Sequence, residues 1–413
     1  MLDGFIMNVL NNNDKTGSMK MTKLFKLSLI TATLTMATFN ANAAVEIYEK
    51  DGMSFSTDGL VNVFYSNSSI DSTNAAGMEE DRTQSRVRTG FLPSNIGFNF
   101  AKQLSDVKIG MRSSFWVSLS DTDNNRDASP ADLGTGSLID VRQFYATVSG
   151  SWGEVLLGKD FGLYNRANIL GDELLLGFGQ TSDFFGLVDG GNVSFGNIAT
   201  GYTYPMPKAQ MTYRTPDMSG FKLAVGIMDP NKTAGDSSEE LPRFEAELMY
   251  NTSFNENSSM KAWVSGVAQT SEINDVEQNQ SGIGYGVNVM FSGLSLTASG
   301  YSSKGLGHVA GLDHIVGVDT IESDGYLVQA AYTMGDNRVV LTYGESETTD
   351  AGNVEVVGIV GDAVHSNTGI AYFRTIVPGV TAVFEYNNTE VDATNSLIAE
   401  DNNTFSIGAV VTF

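Results

Sequence analysis

The sequence predicts an all-β fold: a transmembrane antiparallel up-and-down β-barrel of about 16 strands, with a long third loop folded inward. Three observations predict it. Beyond the first 43 residues no apolar run reaches the roughly 18 residues a membrane helix needs. Short segments alternate apolar and polar with a period of two. The connections between them are alternately tight and long.

Composition suits this class. The 413 residues contain 44 glycines, only 8 prolines and no cysteine, so neither a disulfide framework nor a thiolate metal site is available. Charged residues make up 17% of the chain.

The N-terminal segment 1–43 reads as an upstream extension plus a secretory signal peptide. Lys20, Lys23 and Lys26 form a basic region, Leu27 to Phe39 is a moderately apolar stretch of 13 residues, and Ala41-Asn42-Ala43 is a small-residue cleavage site. The first 18 residues are unlike such a signal, so translation is expected to start at Met19 or Met21. The apolar stretch is too short and too rich in Thr and Asn to span a bilayer. A single domain, the barrel, is expected over 44–413.

Alternation within that domain assigns faces. In GIGYGVNVMF, Ile283, Tyr285, Val287, Val289 and Phe291 share one parity, and three glycines with Asn288 and Met290 take the other. Tyr326, Val328, Ala330, Tyr332 and Met334 share a face, as do Phe244, Ala246, Leu248 and Tyr250. Tight turns are expected at 102–106, 150–153, 216–220, 255–258, 292–293, 335–337 and 377–380. Long connections are expected at 67–82, 121–137, 161–197, 229–240, 271–280, 302–323, 345–362 and 389–402. Short turns at one end and long loops at the other mark an outer-membrane barrel, which closes so that every backbone group is paired in lipid. An even strand number places both termini on the periplasmic side.

Charge follows the same division. The chain after residue 43 carries 20 basic and 46 acidic residues, and the eight long connections hold 31 acidic and 5 basic ones, which is the whole excess. Such loops suit a lipopolysaccharide surface, with divalent cations bridging carboxylates to lipid phosphates, or simply stay solvated. So acidic a chain argues against nucleic-acid partners.

Four stretches resemble one family: AVEIYEKDGMSFSTDG, FYATVSGSWGEVLLGKD at Phe144 to Asp160, YRTPDMSGFKLAVGI at Tyr213 to Ile227, and the terminal FSIGAVVTF. In this order, across nearly the whole chain after residue 43, they are similar to the general porins of Gram-negative bacteria. The resemblance implies a homotrimer of 16-stranded barrels in the outer membrane that passes ions and small hydrophilic solutes by diffusion. Two departures bear on the pore: Lys159 stands where an Arg is common in that family, and the third long loop has no Pro-Glu-Phe-Gly-Gly-like tip.

Segment 161–197 is rich in Gly, Phe and Leu, which suits a loop that enters the barrel. Its acidic members are Asp172, Glu173, Asp183 and Asp189. On the facing strands, lumen parity collects Arg86, Arg88, Lys108 and Arg112, with Arg142 near the start of the fourth strand. A basic wall opposite an acidic loop is the constriction that the resemblance implies, with a transverse field across it. The alternative for the arginines is ion pairing with carboxylates such as Asp140 and Asp81, or lining a trimer-facing wall.

Enzyme readings find no support. His308, His314 and His365 sit in or beside long connections, no nucleophile and base have supportive spacing, and His308, His314 and Asp313 make at best a weak metal motif. No cofactor is expected apart from divalent cations at the acidic loops. A substrate-specific sugar channel would need aromatic side chains on the lumen side, where Trp116 and Trp263 fall; Trp152, at a short turn, belongs to an interfacial girdle. A plugged barrel serving as an adhesin or surface anchor is a further alternative, and the glycine-rich lumen parity speaks for an open bore instead. In the last segment, Phe405, Ile407, Ala409, Val411 and Phe413 share the lipid-facing parity. That segment reads as the closing strand, and it resembles the signal read by the barrel-assembly machinery.

Overall fold

The computed structural model describes residues 44–413 apart from 75, 121–138, 190, 233–236, 274–275, 307–320, 350–354, 357–358, 361 and 394–398. The segment read as extension and signal peptide lies outside the described residues, as do His308, Asp313 and His314.

β1 (Val45–Lys50) turns at Asp51-Gly52 into β2 (Met53–Thr73), the longest strand. β3 (Glu79–Arg88) and β4 (Ser94–Leu104) both pair with β2, the first with its outer half and the second with its inner half, so they are two parts of one barrel strand. The chain then meanders through β5 (Val107–Val117), β6 (Asp140–Gly150), β7 (Gly153–Phe161), the short helix α1 (Arg166–Leu170), β8 (Pro207–Arg214) and β9 (Phe221–Met228). Next come β10 (Ser237–Ser238), β11 (Arg243–Asn255), β12 (Ser258–Ile273), β13 (Val276–Phe291), β14 (Leu294–Lys304), β15 (Glu322–Met334) and β16 (Asn337–Thr349). β17 (Glu355–Val356) and β18 (Ile359–Val360) pair only with each other, and β19 (Ala363–Val377), β20 (Val380–Ala393) and β21 (Ala399–Thr412) complete the sheet.

Each strand pairs antiparallel with its neighbour, and β21 pairs with β2 from Leu60↔Thr412 to Thr73↔Ala399. β1 continues the same edge below it, from Val45↔Thr57 to Lys50↔Met53. The two ends of the domain therefore share one barrel strand, and the result is a closed antiparallel barrel of 16 strands. Closure leaves no unpaired ladder in the membrane. No helix among the described residues is long and apolar enough to cross a membrane.

Burial alternates as the faces require. In β21 Phe405, Ile407 and Val411 are exposed on the outside, while Asn402, Thr404, Ser406 and Val410 are buried on the inside. Trp152, at the turn into β7, stacks on Tyr213 at 6.5 Å and receives its hydroxyl hydrogen bond at 2.7 Å, an aromatic pair at the rim of the short-turn end.

The tight turns fall at the expected places, but several long connections are shorter than the sequence suggested. β2 runs to Thr73 and β3 starts at Glu79, β12 and β13 pair up to Ile273↔Val276, and β20 runs to Ala393. Polar residues had marked these segments as loops, yet a strand above the bilayer is wet on its outer face and needs no apolar residue there. β12 and β13, at 16 residues each, exceed the roughly 9–11 needed to cross. β8 and β9 have 8 each, so the wall is low on one side and tall on the other.

The third loop departs in the opposite direction. It runs from 162 to 206, beyond the 161–197 expected, and most of it is buried inside the barrel.

Candidate functional site: the bore and its inward loop

The loop is fastened to the wall at successive points around the barrel, and the fasteners are side chains of bore-facing strand positions. Glu245 of β11 accepts the backbone N–H groups of Leu163 and Tyr164. Glu385 of β20 accepts those of Phe178 (2.9 Å) and Gly179. Glu400 of β21 accepts those of Asp183 (2.7 Å) and Phe184 (2.8 Å) and the hydroxyl of Ser182. Irregular backbone inside a barrel carries donors that no ladder satisfies, and carboxylates bind them more strongly than neutral acceptors would.

Arg88 performs the complementary role. Its guanidinium, fully buried, donates to the carbonyls of Leu187, Val188 (3.0 Å), Gly191 (3.1 Å) and Val193. Arg86 donates to the carbonyls of Val188 (2.8 Å) and Asp189. Four residues nearer the outer end of β3 than Arg86, Arg82 pairs with Asp183 and, at 2.8 Å, with Asp189.

These contacts alter the expected transverse arrangement. Asp183 and Asp189 do come to the arginine-bearing strand, but in direct contact with Arg82, which the sequence reading had passed over. Arg86 and Arg88 hold loop carbonyls and do not face the loop acids across water. Asp172 and Glu173 lie against the other wall. Asp172 is buried and accepts from Tyr202 Oη, from Asn197 (3.0 Å) and from Gln329 of β15 (2.8 Å). Burial raises its carboxyl above the usual carboxylate range, against those hydrogen bonds, which lower it. Glu173 pairs with Arg338 of β16 and accepts from Ser295, Asn288 and Thr297.

Of the other basic residues, Arg112 faces the bore but is held by Asp58 (2.8 Å), Asn99 (2.7 Å) and Gln143 (2.8 Å), away from the loop acids. Arg142 owes its position to a register shift between Ser114 and Trp116 of β5. It pairs with Asp140 at 2.7 Å, the partner weighed as its alternative, lies over the Trp116 ring at 5.1 Å and donates to Tyr204 Oη at 2.8 Å. Asp81, the other alternative partner, sits on the outer parity of β3, opposite Asp71. Lys108 lies lower on β5, opposite Ser149.

The glycine face of β13 also has a different use from the one expected. A side chain at Gly282 would overlap Tyr164, one at Gly284 would overlap Asn165, and one at Gly286 would overlap the Trp263 ring. Those glycines receive the loop and its neighbours instead of widening a bore. Trp263 Nε1 donates to Asn168 of α1 at 2.8 Å, so this tryptophan holds the loop as well. Lys159 is exposed on the outer parity, opposite Phe144, and His365 is buried on β19 against Phe185 of the loop at 5.1 Å. No group of metal-ligating residues occurs among the described residues.

A closed 16-stranded barrel with a loop fastened inside it narrows the chain's ancestry, and a family model decides it: the model for Gram-negative porins matches residues 30–394. The chain belongs to the Gram-negative porin family. Solved porin-like barrels agree in fold. The outer membrane channel DcaP of Acinetobacter baumannii has a TM-score of 0.59 at 18% identity, covering 88% of this chain and 99% of its own. An anion-selective porin from Comamonas acidovorans reaches 0.61 at 16% identity, with 87% of this chain and 100% of that one covered. A trimer form of OmpT, an outer membrane protein of Vibrio cholerae, reaches 0.52 at 13% identity, with 88% and 100% covered. No curated protein matches the chain. This porin is a β-barrel of the bacterial outer membrane and an outer-membrane channel for passive diffusion. Family and fold suggest a channel and not an enzyme.

Proposed function

We propose that the porin is a general diffusion channel for ions and small hydrophilic solutes, built as a homotrimer, in which the inward loop fixes the size of the passage. The observation that carries this reading is the fastening of residues 162–206 by Glu245 on one side of the barrel and by Glu385, Glu400 and Arg88 on the opposite side. A loop held at so many points narrows the bore without acting as a separate lid. Water-filled passage through it needs no conformational step.

The alternative of a sugar-specific channel is disfavoured by the same geometry. Trp116 and Trp263 fall on the bore side, yet both are buried, the first under Arg142 and the second against α1. A sugar would find no exposed tryptophan face there. An adhesin or surface anchor has no feature in its favour among the described residues.

Support for the partners is of the same kind. OmpT of Vibrio cholerae, similar in fold, is known in a trimer form, and β2, β4 and β5 offer an apolar outer face on which Phe98 stacks on Phe55 at 6.2 Å and meets Phe115 edge-on at 6.3 Å. At the long-loop end of the outer face, Asp81, Asp71, Asp401 and Glu390 stand opposite one another on consecutive strands. Like charges so placed repel, and divalent cations shared with lipopolysaccharide phosphates would relieve them. The terminal strand is the segment offered to the barrel-assembly machinery.

Recording from planar bilayers tests the reading. Large ohmic steps in groups of three, with no block by added oligosaccharide, are expected; block at micromolar sugar would replace it with the specific channel, and absence of conductance would overturn both.

A further inference from the structure

On the bore face of the periplasmic half, below the loop, the described carboxylates of the strands from β2 to β9 are matched, whereas Glu46 and Glu49 of β1, opposite Ser56 and Ser54, stand beside each other as like charges. Asp58 is paired with Arg112, Glu154 with Arg214 at 2.9 Å, and Asp160 with Gln143 at 2.9 Å and Arg214 at 3.5 Å. Glu173, reaching down from the loop, is neutralised by Arg338.

Three cations on the same face are not matched in this way. Lys108 is the second residue of β5 and Lys222 the second of β9, and neither has an ion pair or hydrogen bond to a described residue. Lys261, the fourth residue of β12, lies with Nζ 5.5 Å over the Trp263 ring. Its nearest charges are Glu247 and Arg166, which already pair with each other. Arg166 in turn keeps a buried Nη1 with no hydrogen-bond partner.

Register places these cations along one stretch of wall. Lys108 is opposite Ser149, Ser149 opposite Glu154, and Glu154 opposite Arg214. Lys222 is opposite Met249, which is opposite Trp263, two residues from Lys261. At about 4.8 Å between strands and 3.4 Å per residue, the Cα atoms of Lys222 and Lys261 are roughly 12 Å apart. A small dianion between them is within reach of both flexible ammonium groups. Asp106, in the turn two residues before Lys108, is within the roughly 10 Å over which charges act at 0.1 M salt and offsets part of that lysine's charge, while Asp217 and Glu256 sit farther out in their turns.

We infer that Lys108, Lys222 and Lys261 form a positively charged track on the bore wall that makes small carboxylate anions the favoured solutes of this channel. The inference rests on the reading of the chain as a diffusion channel and adds the solute class. The acidic residues of the loop do not oppose it, because Arg82, Arg338 and the buried hydrogen bonds of Asp172 absorb them. The strong negative charge of the sequence lies in other segments, so the charge of the whole chain and the preference of its bore have opposite signs.

The test is the reversal potential in a potassium chloride gradient, paired with liposome uptake of succinate and of arabinose, a neutral solute. The wild-type porin should pass chloride in preference to potassium. Exchange of Lys108→Gln, Lys222→Gln and Lys261→Gln together should lower that ratio several-fold and slow succinate while leaving arabinose unchanged; the corresponding triple change to Arg should retain it. Folding of each variant is checked by its heat-dependent mobility on gels, and Lys222→Gln alone, next to a turn, should give a partial shift if the triple variant does not fold. A wild-type preference for potassium, or a ratio that the neutral substitutions leave in place, overturns the inference while the channel stands. A folded wild-type barrel with no conductance overturns the channel reading itself.

Discussion

The ring of Phe413 lies in the space that a side chain at Gly59 would fill, and the two backbones exchange hydrogen bonds, Gly59 N–H to Phe413 O at 2.9 Å and Phe413 N–H to Gly59 O at 3.1 Å. The last residue is thus seated on a bare patch of β2 at the point where β1 takes over the edge. Gly59→Val should displace the ring and loosen the seam, at a cost of about 1–3 kcal/mol for overpacking. Removal of Phe413 should reduce the yield of folded barrel. Both are read from the fraction with folded mobility on unheated gels, and full yield from both variants would show that the contact is dispensable.

Glu385 and Glu400 act through the loop. A glutamine at either site keeps the shape but turns an N–H toward backbone donors, and each buried donor left unmatched costs about 1–3 kcal/mol. Glu385→Gln and Glu400→Gln should therefore raise current noise at constant voltage and, together, increase the mean conductance. Quiet channels of unchanged size in the double variant would mean that the loop is held by other contacts.

Arg88 offers a graded comparison. Its planar fork reaches four carbonyls, a geometry that a lysine ammonium cannot reproduce. Loss of function should follow the order wild type, Arg88→Lys, Arg88→Ala when it is scored as conductance noise. If Lys serves as well as Arg, charge alone suffices and the bidentate geometry does not matter.

Asp172 predicts a pH dependence. Its carboxyl value is raised in the folded chain by burial. A raised value means that the folded protein holds this proton to higher pH than the unfolded one does, so the group stabilises most below the ordinary carboxylate value and loses that contribution as pH rises through the raised one. The difference in melting temperature between the wild type and Asp172→Asn, in detergent, should therefore shift in favour of the wild type between pH 7 and pH 4. A difference independent of pH would show that Asp172 has the same proton affinity folded and unfolded.

Much of the barrel was legible because its rules are local. The period of two put Phe405, Ile407 and Val411 outside, and Ser292-Gly293 and Gly335 announced tight turns on their own. Strand ends above the membrane were hidden, since Ser68, Ser69 and Asp71 look like loop residues until they pair with Thr404, Asn403 and Asp401. The site was harder for a different reason. What Arg88 binds is backbone carbonyl, which no side-chain pattern reveals, and the use of Gly282 and Gly284 depended on which side chains the loop would bring. Glu385 is a lone carboxylate beside Asn387 and Thr389 on the bore parity of β20, the one signal in the sequence that a loop N–H needed it.

The fastening of the loop has a temporal side. Phe178 and its acceptor Glu385 are 207 residues apart, and Phe184 and Glu400 are 216 apart. Contacts of such long range form late, and these require the last two strands to be in place. A barrel missing its final hairpin would lack the acceptors that hold residues 178–184 of the loop. The passage therefore acquires its final calibre at the moment of closure, and a partly built wall would leak without discrimination until then.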